Sequence, residues 1–124
     1  MKHFAFRLEA NSHVGTGHLM RCMAIANELF QNGSSCHFLS RELSSSLQAK
    51  VESQGHKFYA VDNEDRVQVV LDELRPEFLI VDHYGLDARF ESKVSVFCEH
   101  ILAIDDLANR SHHCDFLLDQ GPLR

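Results

Sequence analysis

The chain has 124 residues, 44% of them hydrophobic and 24% charged, and carries a net charge of −6 with its nine histidines neutral. That is one domain's worth of chain, with enough apolar residue for a core. No membrane span is expected, because no run approaches about twenty apolar residues, and no signal peptide is expected, because Met-Lys-His-Phe-Ala-Phe-Arg has no apolar stretch. The composition also argues against nucleic acid as the main partner, because no basic block appears.

The expected location is the cytoplasm. The four cysteines, Cys22, Cys36, Cys98 and Cys114, contain no Cys-x-x-Cys pair and are expected to be reduced and mostly buried.

In chain order, strands and helices alternate. Lys2 to Leu8 predicts a strand with Phe4 and Phe6 on one face. Gly17 to Gln31 predicts a helix, with Leu19, Cys22, Met23, Ala26, Leu29 and Phe30 at the spacing of one buried stripe. Gly33 stops it. Ser35 to Leu39 is a second strand. Ser44, Ser45 and Ser46 offer an N-cap for a helix with the stripe Leu43, Leu47 and Val51, ended by Gly55.

Lys57 to Val61 is a third strand. Asn63 then caps a helix whose first turn holds Glu64 and Asp65, where negative charge suits the dipole. Its inward residues are Val67, Val70, Leu71 and Leu74, and Arg75-Pro76 closes it. The continuous apolar run Phe78-Leu79-Ile80-Val81 predicts a strand covered on both faces, hence central in a parallel sheet. Asp87 caps a fourth helix carrying Phe90, Val94 and Phe97. Ile101 to Ile104 and Phe116 to Leu118 are the last strands. The fold class expected is α/β, a Rossmann-like parallel sheet with helices on both faces.

The stretch Val14-Gly15-Thr16-Gly17-His18-Leu19-Met20-Arg21-Cys22 joins the first strand to the first helix. Little side chain stands there, so a ligand can approach the backbone. The first-turn N–H groups offer donors and partial positive charge. A positive helix end disfavours imidazolium, so His18 is expected as a neutral imidazole at a cleft mouth, fit to act as a general base. Close packing alone is the other reading of such a turn. A dinucleotide fingerprint fails because its third glycine falls at Met20, and a P-loop fails for want of Gly-Lys-Ser/Thr.

Ligands of parallel α/β sheets sit outside the carboxyl ends of the strands. Polar residues gather there: Glu9, Asn11 and His18 after the first strand, Asp82, His83 and Tyr84 after the fourth, Asp105 and Asp106 after the fifth. This rim holds several carboxylates and chiefly two cations, Arg7 and Arg21, a poor sole host for a diphosphate. Other constellations are weaker. His112-His113-Cys114-Asp115 lacks a paired ligand set at zinc spacing, so no metal is expected. Cys22 with His18 makes a poor nucleophile pair because Cys22 belongs to the buried stripe. Glu9 with Asp82 or Asp105 suits a paired-carboxylate hydrolase only at the right separation.

Four blocks occur in order: Arg7-x-Glu9, Val14 to Cys22, Val81-Asp-His-Tyr-Gly-Leu86, and Ile104-Asp-Asp-Leu-Ala-Asn-Arg110 with His113-Cys-Asp-Phe-Leu-Leu-Asp-Gln120. Together they resemble, over essentially the whole chain, the PseG family of UDP-2,4-diacetamido-2,4,6-trideoxy-β-L-altropyranose hydrolases of pseudaminic acid biosynthesis. The resemblance implies a GT-B architecture like that of the peptidoglycan glycosyltransferase MurG, with this chain in its N-terminal half. It implies hydrolysis of a UDP-sugar at the anomeric carbon with inversion, without a metal or cofactor.

The family's catalytic histidine falls on His18 and its glycine loop on Gly15, Thr16 and Gly17. Its Asp-His-Tyr block falls on Asp82, His83 and Tyr84, on the sugar side. With these, Arg7, Glu9, Arg21, Asp105 and Asp106 make the candidate substrate-binding set. Glu9 stands where the family usually has aspartate. The family also carries a C-terminal domain that grips most of the UDP. Residues 1–124 are therefore expected to be an incomplete N-terminal Rossmann-like domain: a truncated form, a fragment or a lone domain. The alternatives to a hydrolase half are a sugar-nucleotide binding module without chemistry and a GT-B glycosyltransferase half.

Overall fold

The computed structural model describes residues 1–9, 17–83, 86–104, 112 and 114–118. Strands and helices alternate: β1 (His3–Leu8), α1 (Gly17–Gln31), β2 (Ser35–Ser40), α2 (Ser45–Ser53), β3 (Lys57–Ala60), α3 (Glu64–Leu74), β4 (Phe78–Asp82), α4 (Ala88–Val94), β5 (His100–Ile104) and β6 (Phe116–Leu118). A single 3-10 turn, Ser95–Phe97, extends α4.

The capping expected from sequence is in place. Ser44, Asn63 and Asp87 side chains accept from the backbone N–H of Leu47, Arg66 and Arg89, satisfying first-turn donors that the helix cannot. Arg75 ends α3 in the left-handed region at φ 46, and Pro76 follows it. Gly55, which follows α2, has φ 94. A Cβ there would also stand 2.6 Å from Phe30 Cζ, the far end of a half-exposed side chain that can shift, so the positive φ is the main reason for glycine.

All the strands are parallel, in the order β3-β2-β1-β4-β5-β6. The chain winds outward from β1 to β3, then returns beside β1 and winds the other way. Such a reversal opens a crevice at the carboxyl ends of the two central strands. Those strands are β1 and β4, paired with Leu8 opposite Asp82. The apolar β4 is central, as its composition requires.

Alternation along the strands divides the core. Phe4, Phe6 and Leu8 pack with Leu19, Cys22, Met23 and Ala26 of α1 on one face. The Phe6 and Phe38 rings stack there at 4.9 Å. Ala5, Leu39, Leu79 and Val81 pack with Val67, Val70 and Leu71 of α3 and Phe90 and Val94 of α4 on the other. Burying each large side chain is worth about 1.5–3 kcal/mol.

The stripe of α1 loses definition at its end, where Phe30 is 47% exposed and reaches over Gly55. In α2 only Val51 is buried, while Leu43 and Leu47 are partly covered. The β6 residues Phe116, Leu117 and Leu118 are all exposed on the sheet edge. No helix among the described residues is long and apolar enough to cross a membrane.

Candidate functional site

Asp82 ends β4 at the sheet's carboxyl edge and is 1% exposed. One face of α1 meets it. Residues three and four apart share a helix face, so His18, Arg21 and Cys22 all reach the same carboxylate. His18 Nδ1 hydrogen-bonds Asp82 Oδ1. Arg21 forks onto it, Nε donating to Oδ2 at 2.6 Å and a terminal nitrogen to Oδ1 at 2.7 Å. Cys22 Sγ donates to Oδ2 at 3.8 Å.

Burial alone would push the Asp82 carboxyl up, but the hydrogen bonds and charges of Arg21 and His18 outweigh it and hold the group below its ordinary value. Asp82 is thus an ionised acceptor, and His18 donates to it from Nδ1. The Cys22 thiol is pushed well above its ordinary value by burial and then by Asp82, and stays protonated. It is a donor to the carboxylate, in keeping with its rejection as a nucleophile.

The expectation of an imidazole in an open crevice does not hold. The His18 side chain is 6% exposed, enclosed by the same helix face that buries Leu19 and Cys22. Gly17, just before it, is exposed, and a Cβ built there meets nothing within 4 Å. Among the described residues, no neighbouring atom therefore demands glycine at that position.

A second cluster lies across the sheet. Arg7 alternates with Leu8 and so faces away from α1. Its guanidinium donates to Leu8 O at 2.8 Å, Leu39 O at 3.4 Å and Glu9 Oε2 at 3.2 Å. Its Nε is buried with no hydrogen-bond partner among the described residues. Glu9 also accepts from Ser40 Oγ at 2.9 Å and from Arg41 N at 2.7 Å. Glu9 thus ties the end of β1 to the end of β2.

The candidate residues therefore fall into two groups. His18, Arg21 and Asp82 come together, with Gly17 and the half-buried His83 adjacent in the chain. Arg7 and Glu9 form the other. Gly15, Thr16, Tyr84, Asp105 and Asp106 lie outside the described residues. The acidic rim is also less acidic than its composition suggests, since Asp82 is matched by Arg21 and Glu9 by Arg7.

Sequence reading missed one buried contact. Glu91 is fully enclosed, and its Oε2 lies 2.6 Å from His112 Nδ1. The signal was present in Glu91's position three residues before the inward Val94. Among the described residues, no three His, Cys, Asp or Glu side chains are grouped to hold a metal ion.

No family model matches the chain. The chain is 29% identical over 117 residues to the UDP-2,4-diacetamido-2,4,6-trideoxy-beta-L-altropyranose hydrolase of Campylobacter jejuni. The match takes in 92% of this chain, which spans 40% of the length of that curated relative. The similarity thus runs along nearly all of this chain, to a protein of the family that its four sequence blocks resemble.

Proposed function

We propose that this chain is the N-terminal part of a PseG-like nucleotide-sugar hydrolase, with His18 as general base. The observation that carries the reading is the enclosed Asp82 carboxylate, shared by His18 Nδ1 and the Arg21 fork at the crevice between β1 and β4. A carboxylate on Nδ1 fixes the tautomer, orients the ring and stabilises the imidazolium that forms when Nε2 takes a proton.

In this reading Nε2 removes a proton from water, whose oxygen attacks the anomeric carbon. The bond from that carbon to the UDP oxygen breaks, UDP leaves with the electron pair, and the configuration inverts. Gly15, Thr16, Gly17, His83, Tyr84, Asp105 and Asp106 contact the substrate. Arg21 serves through Asp82, and Glu9 through Arg7, whose guanidinium it holds. A further, C-terminal domain grips the UDP. The setting is cytoplasmic pseudaminic acid synthesis.

The enclosure of the His18 ring favours a second reading, sugar-nucleotide binding without chemistry. Titration calorimetry with UDP and the UDP-sugar, followed by NMR of the anomeric proton, separates them. The hydrolase reading expects free sugar of inverted configuration from a protein that also carries the C-terminal domain, and from residues 1–124 alone negligible UDP binding and little or no activity. Tight binding of the UDP-sugar by residues 1–124 without product contradicts it and supports the second.

A further inference from the structure

A polar chain crosses the sheet on the face turned away from α1, and the hydrolysis described above does not use it. His3, Ala5 and Arg7 alternate with Phe4 and Phe6, so they share that face. Strand pairing sets rows across β1, β2 and β3: His3 beside Ser35, then Ala5, His37 and Lys57, then Arg7, Leu39 and Tyr59. His37 is 1% exposed and reaches diagonally in both directions. Its Nε2 lies 3.0 Å from His3 Nδ1 and 3.2 Å from Ser35 Oγ, and its Nδ1 lies 3.0 Å from Tyr59 Oη. His3 and Tyr59 are only half-buried, so both ends of the chain meet solvent.

Such a chain has a direction. A neutral imidazole has one N–H and one lone pair, so His37 donates at one ring nitrogen and accepts at the other. The groups that face it are His3 from β1, Ser35 from β2 and Lys57 and Tyr59 from β3, with Glu73 of α3 beyond Tyr59. Burial, with the charges of His3 and Lys57, lowers His37 from 6.5 to about 4, so the ring stays neutral while its neighbour takes up a proton. Burial and Glu73 raise Tyr59, which keeps its hydroxyl proton.

A phenol donates better than it accepts. With His3 neutral, Tyr59 Oη therefore donates to His37 Nδ1, and His37 Nε2 donates to His3 Nδ1. An imidazolium at His3 carries a proton on Nδ1 and cannot accept there. His37 Nε2 must then accept, its proton must sit on Nδ1, and Tyr59 Oη becomes the acceptor.

We infer that His3, His37 and Tyr59 form a proton-linked switch, in which protonation of His3 reverses both hydrogen bonds of His37 and moves its proton from Nε2 to Nδ1. One proton is taken from water in all. Tyr59 passes its hydroxyl proton to Nδ1 and regains one from water, while Nε2 passes its proton to His3 Nδ1. The switch is independent of the UDP-sugar reading.

Long-range proton–nitrogen NMR of the histidine rings, on the full chain between about pH 7.5 and about pH 5, tests it. Wild-type His37 is expected to carry its proton on Nε2 at the upper pH and on Nδ1 at the lower, singly protonated throughout, with the midpoint of the exchange equal to that of the His3 titration. His3→Leu is expected to hold His37 in one tautomer over the whole range, with amide spectra showing an intact sheet. Should His3→Leu not fold, His3→Gln, which is uncharged at every pH and keeps a hydrogen-bonding group, carries the same expectation. A wild-type tautomer that does not change, a doubly protonated His37 at the lower pH, or an exchange that persists in the folded His3 variant overturns the inference.

Discussion

Asp82 Oδ1 accepts from His18 Nδ1 across 64 positions of sequence, joining the last residue of β4 to the first turn of α1. Both residues stand at the crevice where the winding of the sheet reverses, and Arg21 takes the other side of the same carboxylate. The pair is therefore both a support of the fold and the centre of the proposed chemistry.

Asp82→Asn should show both roles. Taking the charge from an enclosed pair leaves the Arg21 fork partly unmatched, and the expected loss is about 3 kcal/mol in urea unfolding at pH 7. The sign with pH follows from the carboxyl being held below its ordinary value in the folded protein. Its contribution is complete above the unfolded value, about 3.9, and is lost as pH falls through the lower folded value. Wild type should thus lose stability on acidification below about pH 5, and Asp82→Asn should be flatter over the same range.

Arg21→Lys should not substitute for arginine. An ammonium cannot reproduce the two-point fork at 2.6 and 2.7 Å. The expected loss is about 1–2 kcal/mol in the same unfolding assay, with His18 less firmly oriented. A variant as stable and as active as wild type would deny Arg21 its supporting role.

His37 carries a second pH prediction. It is 1% exposed, with Tyr59 Oη at 3.0 Å from Nδ1, and His3 Nδ1 at 3.0 Å and Ser35 Oγ at 3.2 Å from Nε2. Burial, with His3 and Lys57 adding positive charge nearby, lowers it from 6.5 to about 4. The unfolded chain binds a proton below about pH 6.5 that the folded chain refuses until about pH 4. Stability should therefore fall as pH drops across that window. His37→Gln, measured by urea midpoints at pH 7 and pH 4.5, should fall less steeply than wild type.

Gly55→Ala tests the joint between α1 and the α2–β3 turn. The φ of 94 strains any side chain, and the new Cβ would meet Phe30 Cζ at 2.6 Å. The expected cost is about 1–2 kcal/mol. Phe30 is 47% exposed and able to yield, so Phe30→Ala in the Gly55→Ala background should recover part of that cost.

Much of this architecture was legible in the residues. The Asn63 and Asp87 caps, the Gly33 stop and the unbroken apolar run of β4 each have a local physical cause, and the elements fall where those causes put them. The gathering of polar residues at strand ends brought His18 and Asp82 into one list. Their contact was not legible, because register between β1 and β4 depends on packing across the whole sheet. The enclosure of His18 has a local cause in the sequence: it stands four residues before Cys22, on the buried stripe of α1, and that placement outweighs the openness of the glycine turn before it. Glu91 was missed because a carboxylate on an apolar stripe reads as a solvated residue until its partner, 21 residues on, is seen.

The most direct measurement is the initial rate of UDP release from UDP-2,4-diacetamido-2,4,6-trideoxy-β-L-altropyranose by a protein that also carries the C-terminal domain, as wild type and as His18→Ala, with folding of both checked by circular dichroism. A positioned general base contributes about a hundredfold or more, so a folded His18→Ala should release UDP at least that much more slowly. Equal rates in the two proteins would contradict the assignment of His18 and, with it, the proposed chemistry.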